Sequence, residues 1–177
     1  MRLAGLDFET ANKKSGSICA AGCVLLADGV VTESREWLIY PHRGYRWMLP
    51  EFTDIHGLSF WDVRDRPEFP DIWVELQQML LAADCVIIHH APFDLGQLRS
   101  VLALYELPPV EFDYADSVCI SRKLFPAMTS HTLDAMAGRF GITFQHHDAL
   151  ADATTCATII AQTGIPDGFI RHFSTAH

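Results

Sequence analysis

The sequence predicts an α/β domain on a mixed sheet, an antiparallel meander followed by parallel strands, with helices on its faces. Three observations lead there. The chain opens with three strand-like apolar runs joined by short turns. From about residue 70 onward, helical and strand-like patterns alternate, and a meander followed by that alternation suggests a mixed sheet with helices on its faces, not an all-parallel one. The balance of 49% apolar and 20% charged side chains over 177 residues suits one domain, residues 1–177, with a sizeable core.

Leu3 to Phe8 reads as a short buried strand and Ile18 to Ala27 as a second, with Asp28-Gly29 as the hairpin turn into a third from Val30 to Tyr40. Residues 41–70 carry Pro41, Pro50, Pro67 and Pro70, so an irregular stretch is expected, with one short helix near Pro50 to Ile55. Pro70 opens a helix whose apolar face is Ile72, Leu76, Met79, Leu80 and Ala83, ending near Asp84. Cys85 to His89 has strand length. Leu98, Val101, Leu102 and Tyr105 form the stripe of a helix that follows Ala91-Pro92 and is stopped by Pro108-Pro109. A strand from Val110 to Ala115 leads to a helix capped by Asp116-Ser117. Leu133, Met136, Ala137 and Phe140 mark another helix, with Thr132 as N-cap and Gly141 just past its end. The last helix runs from about Ala149 to Gln162. Only Thr163 to His177 follow it, and a further tethering domain is not expected.

Thirteen basic and 22 acidic side chains give a net charge of −9. That disfavours a tight binder of long duplex DNA, which relies on clustered Lys and Arg. It does not disfavour a metal-dependent nuclease, because carboxylates gathered around divalent cations themselves make a chain acidic. The cysteines, Cys19, Cys23, Cys85, Cys119 and Cys156, are odd in number, form no C-x-x-C pair and sit in apolar stretches, which fits a reducing compartment. No run of 18 uncharged apolar residues occurs, and the start MRLAGLDFET turns acidic too soon for a signal peptide. A cytoplasmic protein without membrane contact is expected.

Asp7 and Glu9 share one face of the first strand, since residues two apart project to the same side. About three acid-x-acid pairs are expected by chance in such a chain, and Glu111 with Asp113 is a second instance. Asp7 and Glu9 stand out because they end a strand that otherwise reads as buried, where unpaired charge is costly. The same oddity recurs on two helices. One step of four residues back from Leu98 along its stripe lies Asp94, and one such step back from Cys156, Ile159 and Ile160 lies Asp152. An aspartate in a first helical turn is also explained by the helix dipole, yet two of them on core-facing stripes, beside Asp7 and Glu9, point to a shared site. Four inward carboxylates raise one another's pKa unless cations compensate them. Oxygen-only ligation suits Mg²⁺ or Mn²⁺ rather than Zn²⁺, and two such ions can clamp the oxygens of a phosphodiester. His147, in the loop before Asp152, is placed to act as a base toward an attacking water.

Asp7-Phe8-Glu9-Thr10, Ile88-His89-His90-Ala91-Pro92-Phe93-Asp94 and His147-Asp148-Ala149-Leu150-Ala151-Asp152-Ala153 resemble, in order, the three motifs of the DEDDh 3′→5′ exonucleases. That family includes the proofreading epsilon subunit of bacterial DNA polymerase III and ribonuclease T. The similarity runs from about Leu3 to Ile160. It implies a ribonuclease H-like fold and release of nucleoside 5′-monophosphates from single-stranded 3′ ends of DNA, RNA or short oligonucleotides. It further implies that Asp7, Glu9, Asp94 and Asp152 hold two divalent cations, Mg²⁺ or Mn²⁺, with His147 as general base. Phe8, Thr10, Ala11, His56 and Phe93 resemble positions around the terminal nucleotide. Three departures stand out. Ala11-Asn12 replaces the Thr-Gly common after the first motif, His90 stands where Asn is usual, and Asp148 stands where basic residues are common and would favour the imidazolium of His147. Lys13, Lys14 and the basic-aromatic segment His42 to Trp47 are weaker candidates for strand contact, since a solvated loop is the better explanation of them. A polymerase or repair assembly is a candidate partner class, with a stand-alone or accessory nuclease expected over a dedicated proofreading subunit. The competing expectations are a non-catalytic interaction subunit, which would not need these five side chains, and a histidine-rich zinc hydrolase, which lacks H-E-x-x-H.

Overall fold

The computed structural model describes residues 1–176. Its sheet is built from β1 (Arg2–Thr10), β2 (Ile18–Ala27), β3 (Val30–Leu38), β4 (Cys85–Ile88), β5 (Glu111–Asp116) and β6 (Arg171–Ser174). They lie in the order β3-β2-β1-β4-β5-β6. The first three strands pair antiparallel, β1, β4 and β5 pair parallel, and β6 returns antiparallel to β5. The sheet is therefore mixed. The turn into β3 places Asp28 and Gly29 both at positive φ, the geometry a two-residue hairpin needs.

Helices cover both faces. On one lie α3 (Phe69–Leu81) and α4 (Ala91–Leu104), whose Phe69, Trp73, Leu76, Leu98 and Val101 pack against Ala4, Leu6, Phe8 and Ile88. On the other, α5 (Ser117–Leu124), α6 (Leu133–Phe140) and α7 (Ala149–Thr163) bring Ile120, Met136, Cys156 and Ile160 against Leu3, Val24 and Ile87. Two short helices, α1 (Pro50–His56) and α2 (Phe60–Val63), interrupt the long excursion between β3 and α3. Asn12 ties that excursion down, its side-chain amide donating to the carbonyls of Tyr45 and Trp47 at 2.9 and 2.8 Å.

The helix ends obey their capping residues. Asp116 accepts the Val118 and Cys119 N–H groups at the start of α5, and Thr132 accepts that of Ala135 at the start of α6. Gly141 closes α6 in the left-handed region at φ 66°. Two elements lie outside the sequence expectation, the four-residue α2 and the edge strand β6. The third strand stops at Leu38, and Pro108-Pro109 lie beyond the end of α4 rather than forming it.

Position of the site is set by two close contacts. α7 crosses β1 and β2 at Gly5 and Gly22, where a Cβ would come within 2.2 Å of the Ala153 oxygen and of the Ala149 backbone. Gly22 lies opposite Asp7 in the β1–β2 register. Only hydrogen at these positions lets the helix reach the strands, and that contact brings the first turn of α7 over Asp7.

Candidate active site

β1 carries Asp7 and Glu9 at its C-terminal end, and the first turn of α7 carries Asp152, 5% exposed. Oxygen atoms of these three carboxylates lie within 4.8 Å of one another. The fourth acid arrives by a different route. β4 pairs with β1 only as far as Leu6, which leaves the Phe8 N–H without a partner from that strand. Asp94, 1% exposed in the first turn of α4, accepts it at 3.0 Å. A shortened strand thus admits a helix-borne carboxylate to the C-terminal edge of the parallel strands, the edge at which open α/β sheets bind their ligands.

Electrostatics follow from that crowding. Burial drives the Asp7 carboxyl far above the ordinary carboxylate range, and the charges of Asp94, Glu9 and Asp152 push it further. Glu9 is pushed up to about 8, by burial first and by Asp152 and Asp94 after it. Asp94 moves upward through burial, opposed by the Phe8 N–H. Asp152 also moves upward through burial, opposed by its contact with His146. Carboxylate oxygens crowded in this way, with few hydrogen-bond donors among them, have the donor chemistry that hard divalent cations such as Mg²⁺ and Mn²⁺ prefer.

His147 takes a left-handed backbone, φ 64°, and its N–H reaches an Asp152 oxygen at 3.3 Å. Burial, with help from His146, lowers the pKa of its imidazole. Asp148 does not act on it as the sequence suggested. Its carboxylate caps α7 by accepting the Ala151 N–H at 2.9 Å, and the acids that do favour the His147 imidazolium are Asp152 and Asp134. His90 is the N-cap of α4 at φ 66°. Asn, Asp and His are the non-glycine residues that best tolerate this conformation, which gives His90 a backbone reason for its place.

Asp7, Glu9 and Asp152 open onto a cleft of about 480 Å³ walled by Phe8, His89, Phe93, Arg122, His131 and Leu133, among others. Phe93 is 44% exposed at its rim, whereas Phe8 is 2% exposed and shared with the core. Thr10, Ala11 and His56 are not on that wall. Thr10 and Ala11 are buried, and His56 holds the end of α1 to β1, its Nε2 lying 3.1 Å from the Thr10 carbonyl and its Nδ1 accepting the Leu58 N–H at 3.0 Å.

Several site residues escaped sequence reasoning. His146 lies with Nδ1 2.9 and 3.1 Å from the two Asp152 oxygens and stacks on His147 at 3.8 Å. Asp116 accepts the Ala91 N–H at 3.1 Å and thereby fixes the start of α4, from which Asp94 projects. His89, its pKa lowered to about 4 by burial, lies 2.8 Å from the Ser117 hydroxyl and is a neutral wall residue. A paired His-His before Asp152 was the one visible signal, and it does not say which ring turns inward.

A mixed six-stranded sheet with four acids and a histidine at its strand ends defines a nuclease of ribonuclease H-like fold. The exonuclease family RNase_T matches residues 5–160, and the chain belongs to that family, in its DEDDh type. It is 30% identical to the DNA polymerase III subunit epsilon of Rickettsia prowazekii over 171 residues, covering 90% of this chain and 72% of that one. With the epsilon subunit of Buchnera aphidicola subsp. Baizongia pistaciae the identity is 32%, over 87% of this chain and 67% of the other. Among solved structures it resembles the nuclease domain of 3′hExo, a DEDDh family member bound to rAMP (TM-score 0.76, 17% identity, 97% and 96% of the two chains). It also resembles exonuclease X in complex with 5′ overhanging duplex DNA (TM-score 0.71, 22% identity, 90% and 89%). No helix among the described residues is long and apolar enough to cross a membrane.

Proposed function

We propose that this protein is a 3′→5′ exonuclease that removes nucleoside 5′-monophosphates from single-stranded 3′ ends of DNA, RNA or short oligonucleotides. The observation that carries the proposal is the gathering of Asp7, Glu9 and Asp152 oxygens within 4.8 Å in one open cleft with half-buried His147, and with Asp94 buried behind them on the Phe8 N–H. Asp7, Glu9, Asp94 and Asp152 would hold two divalent cations, Mg²⁺ or Mn²⁺. When bound, such cations draw charge from the scissile phosphate and make water a better nucleophile.

The chain's own groups supply the rest. His147, with its lowered pKa, is unprotonated at neutral pH and accepts the proton of the attacking water. Phe93 at the rim offers a face for stacking the terminal base without reading its identity. Arg122 on the cleft wall faces the phosphates. Thr10, Ala11 and His56 contribute by fixing the backbone beside Glu9, with Phe8 as the floor between the acids and the core. Fraying a duplex end costs a few kcal/mol, which favours ends already single-stranded for a cleft with so few cations. The epsilon-subunit relatives are polymerase subunits by name, and a polymerase or repair assembly is the partner class this reading supports.

Release of nucleoside monophosphate from matched single-stranded DNA and RNA, with Mg²⁺, Mn²⁺ or chelator, tests the proposal on wild type and Asp7→Ala. Metal-dependent release from the 3′ end, lost in Asp7→Ala, supports it. Release from neither polymer by folded, metal-supplied protein overturns it.

A further inference from the structure

Asp152 belongs to two groupings. With Asp7 and Glu9 it makes the all-oxygen cluster; with His146 and His147 it makes another, in which two imidazole nitrogens and one carboxylate oxygen again lie within 4.8 Å of one another. We propose that His146, His147 and Asp152 form a second cation site, selective for zinc and similar borderline transition metals, that competes with the all-oxygen site for their shared aspartate.

Geometry and chemistry agree on this. His146 presents Nδ1 to Asp152 at 2.9 and 3.1 Å, while its Nε2 lies 3.5 Å from Asp134 on the far side. A carboxylate behind a histidine holds the proton on the remote nitrogen and leaves the near one free to ligate, the arrangement common around protein-bound zinc. The His147 ring is stacked 3.8 Å from that of His146, at 18°, so both histidines are held at the same end of Asp152. Two imidazoles with one carboxylate are a zinc-type set of three protein ligands, and the cleft leaves further positions to solvent. Oxygen-only ligands favour Mg²⁺ and Mn²⁺, whereas imidazole shifts preference toward Zn²⁺, Cu²⁺ and Ni²⁺. One aspartate thus stands between a hard site and a softer one.

Occupation of the softer site takes Asp152 away from the oxygen cluster and the His147 lone pair away from proton transfer. Zinc is therefore an inhibitor even with Mg²⁺ in excess. The inhibition rests on the exonuclease reading, but the binding does not, and the two are measured apart.

Binding is read by competition of the protein with a chromophoric zinc chelator, in excess Mg²⁺. Wild type takes up one zinc ion; His146→Ala weakens it by roughly tenfold or more, and Asp134→Asn, an exposed substitution, by several-fold. Asp7→Asn, in the oxygen cluster only, leaves zinc affinity equal or higher, because it weakens the competing Mg²⁺ site, and His172→Ala, at the separate Glu111–Asp113 pair, leaves it unchanged. Absorption of the cobalt-substituted protein, with bands of imidazole ligation lost in His146→Gln, gives a second readout. No zinc uptake by wild type, equal uptake by His146→Ala, or equal weakening by Asp7→Asn overturns the proposal. Zinc binding without nuclease activity on any polymer upholds it and removes only the exonuclease reading.

Discussion

At Asp7, ligation and stability pull in opposite directions. Its carboxyl is held among Glu9, Asp94 and Asp152, and burial raises its pKa before their charges do. In chelator near pH 8, Asp7→Asn removes a buried carboxyl that folding must either protonate or hold ionised among other acids, and the melting temperature rises, while metal-dependent hydrolysis is lost. Thermal melts with and without Mg²⁺ check both halves: wild type gains stability from the ion and the variant does not. His147→Gln keeps the fold and lowers kcat by about 10²–10⁴-fold. Because the His147 pKa lies below the ordinary 6.5, the acid limb of the wild-type pH profile falls below that value and is missing in the variant. Asp94 and Asp152 were legible in the sequence because two acids on core-facing helical stripes, beside Asp7 and Glu9, are more than the helix dipole alone explains. His146 was not, because neighbouring histidines carry the same chemistry and only the left-handed backbone of His147 decides how the two rings are presented. Asp148 misled for a related reason: sequence proximity to His147 suggested an ion pair, whereas the start of α7 claimed its carboxylate as a cap.

Among the elements, α7 is the one whose seating matters most, since it carries Asp152 and touches β1 and β2 where Gly5 and Gly22 leave room. Gly22→Ala drives a methyl into the Ala149 backbone, which cannot swing aside as a side-chain end would. The expected cost is about 1–3 kcal/mol in urea unfolding, with a fall in hydrolysis larger than that of a surface glycine change such as Gly138→Ala, where nothing lies within 4 Å of the added carbon. Strand and helix patterns with their own periodicity were readable from Leu3 through the last helix. β6 was not, because Arg171–Ser174 has one buried side chain, Phe173, and becomes a strand only through β5 and the contact of Phe173 with Phe112 at 5.1 Å. α2 has a capping box at Ser59 and Asp62 but just four residues, too short for any apolar period to show. What the sequence could not supply was the length of β4: its end at Ile88, opposite Leu6, is what frees the Phe8 N–H for Asp94.

For the molecule as a whole, the clustered acids set an unusual dependence of stability on pH. A carboxyl whose folded pKa is raised binds more protons folded than unfolded between the two values, so stability falls as pH rises through that window. Glu9, raised from 4.5 to about 8, and Asp7, Asp94 and Asp152, all raised, contribute in this sense. The half-buried histidines act oppositely. His89, lowered to about 4, and His56 and His147, also lowered, make the folded state the poorer proton binder below 6.5, so their contribution grows as pH rises to that point and then levels off. His172 is raised, but it is fully exposed and screened by solvent. Below about 6.5 the two sets offset each other; between about 6.5 and 8 the carboxylates act alone. In chelator, the melting temperature is therefore expected to fall across that upper window, and Asp7→Asn to flatten the fall. Saturating Mg²⁺ or Mn²⁺ reverses its sign, because a cation that needs the ionised acids binds more tightly as they deprotonate. A chelated protein whose stability rose steadily from pH 6.5 to 8 would mean that the four acids are not crowded as described, and melts at half-unit pH steps with and without metal decide it.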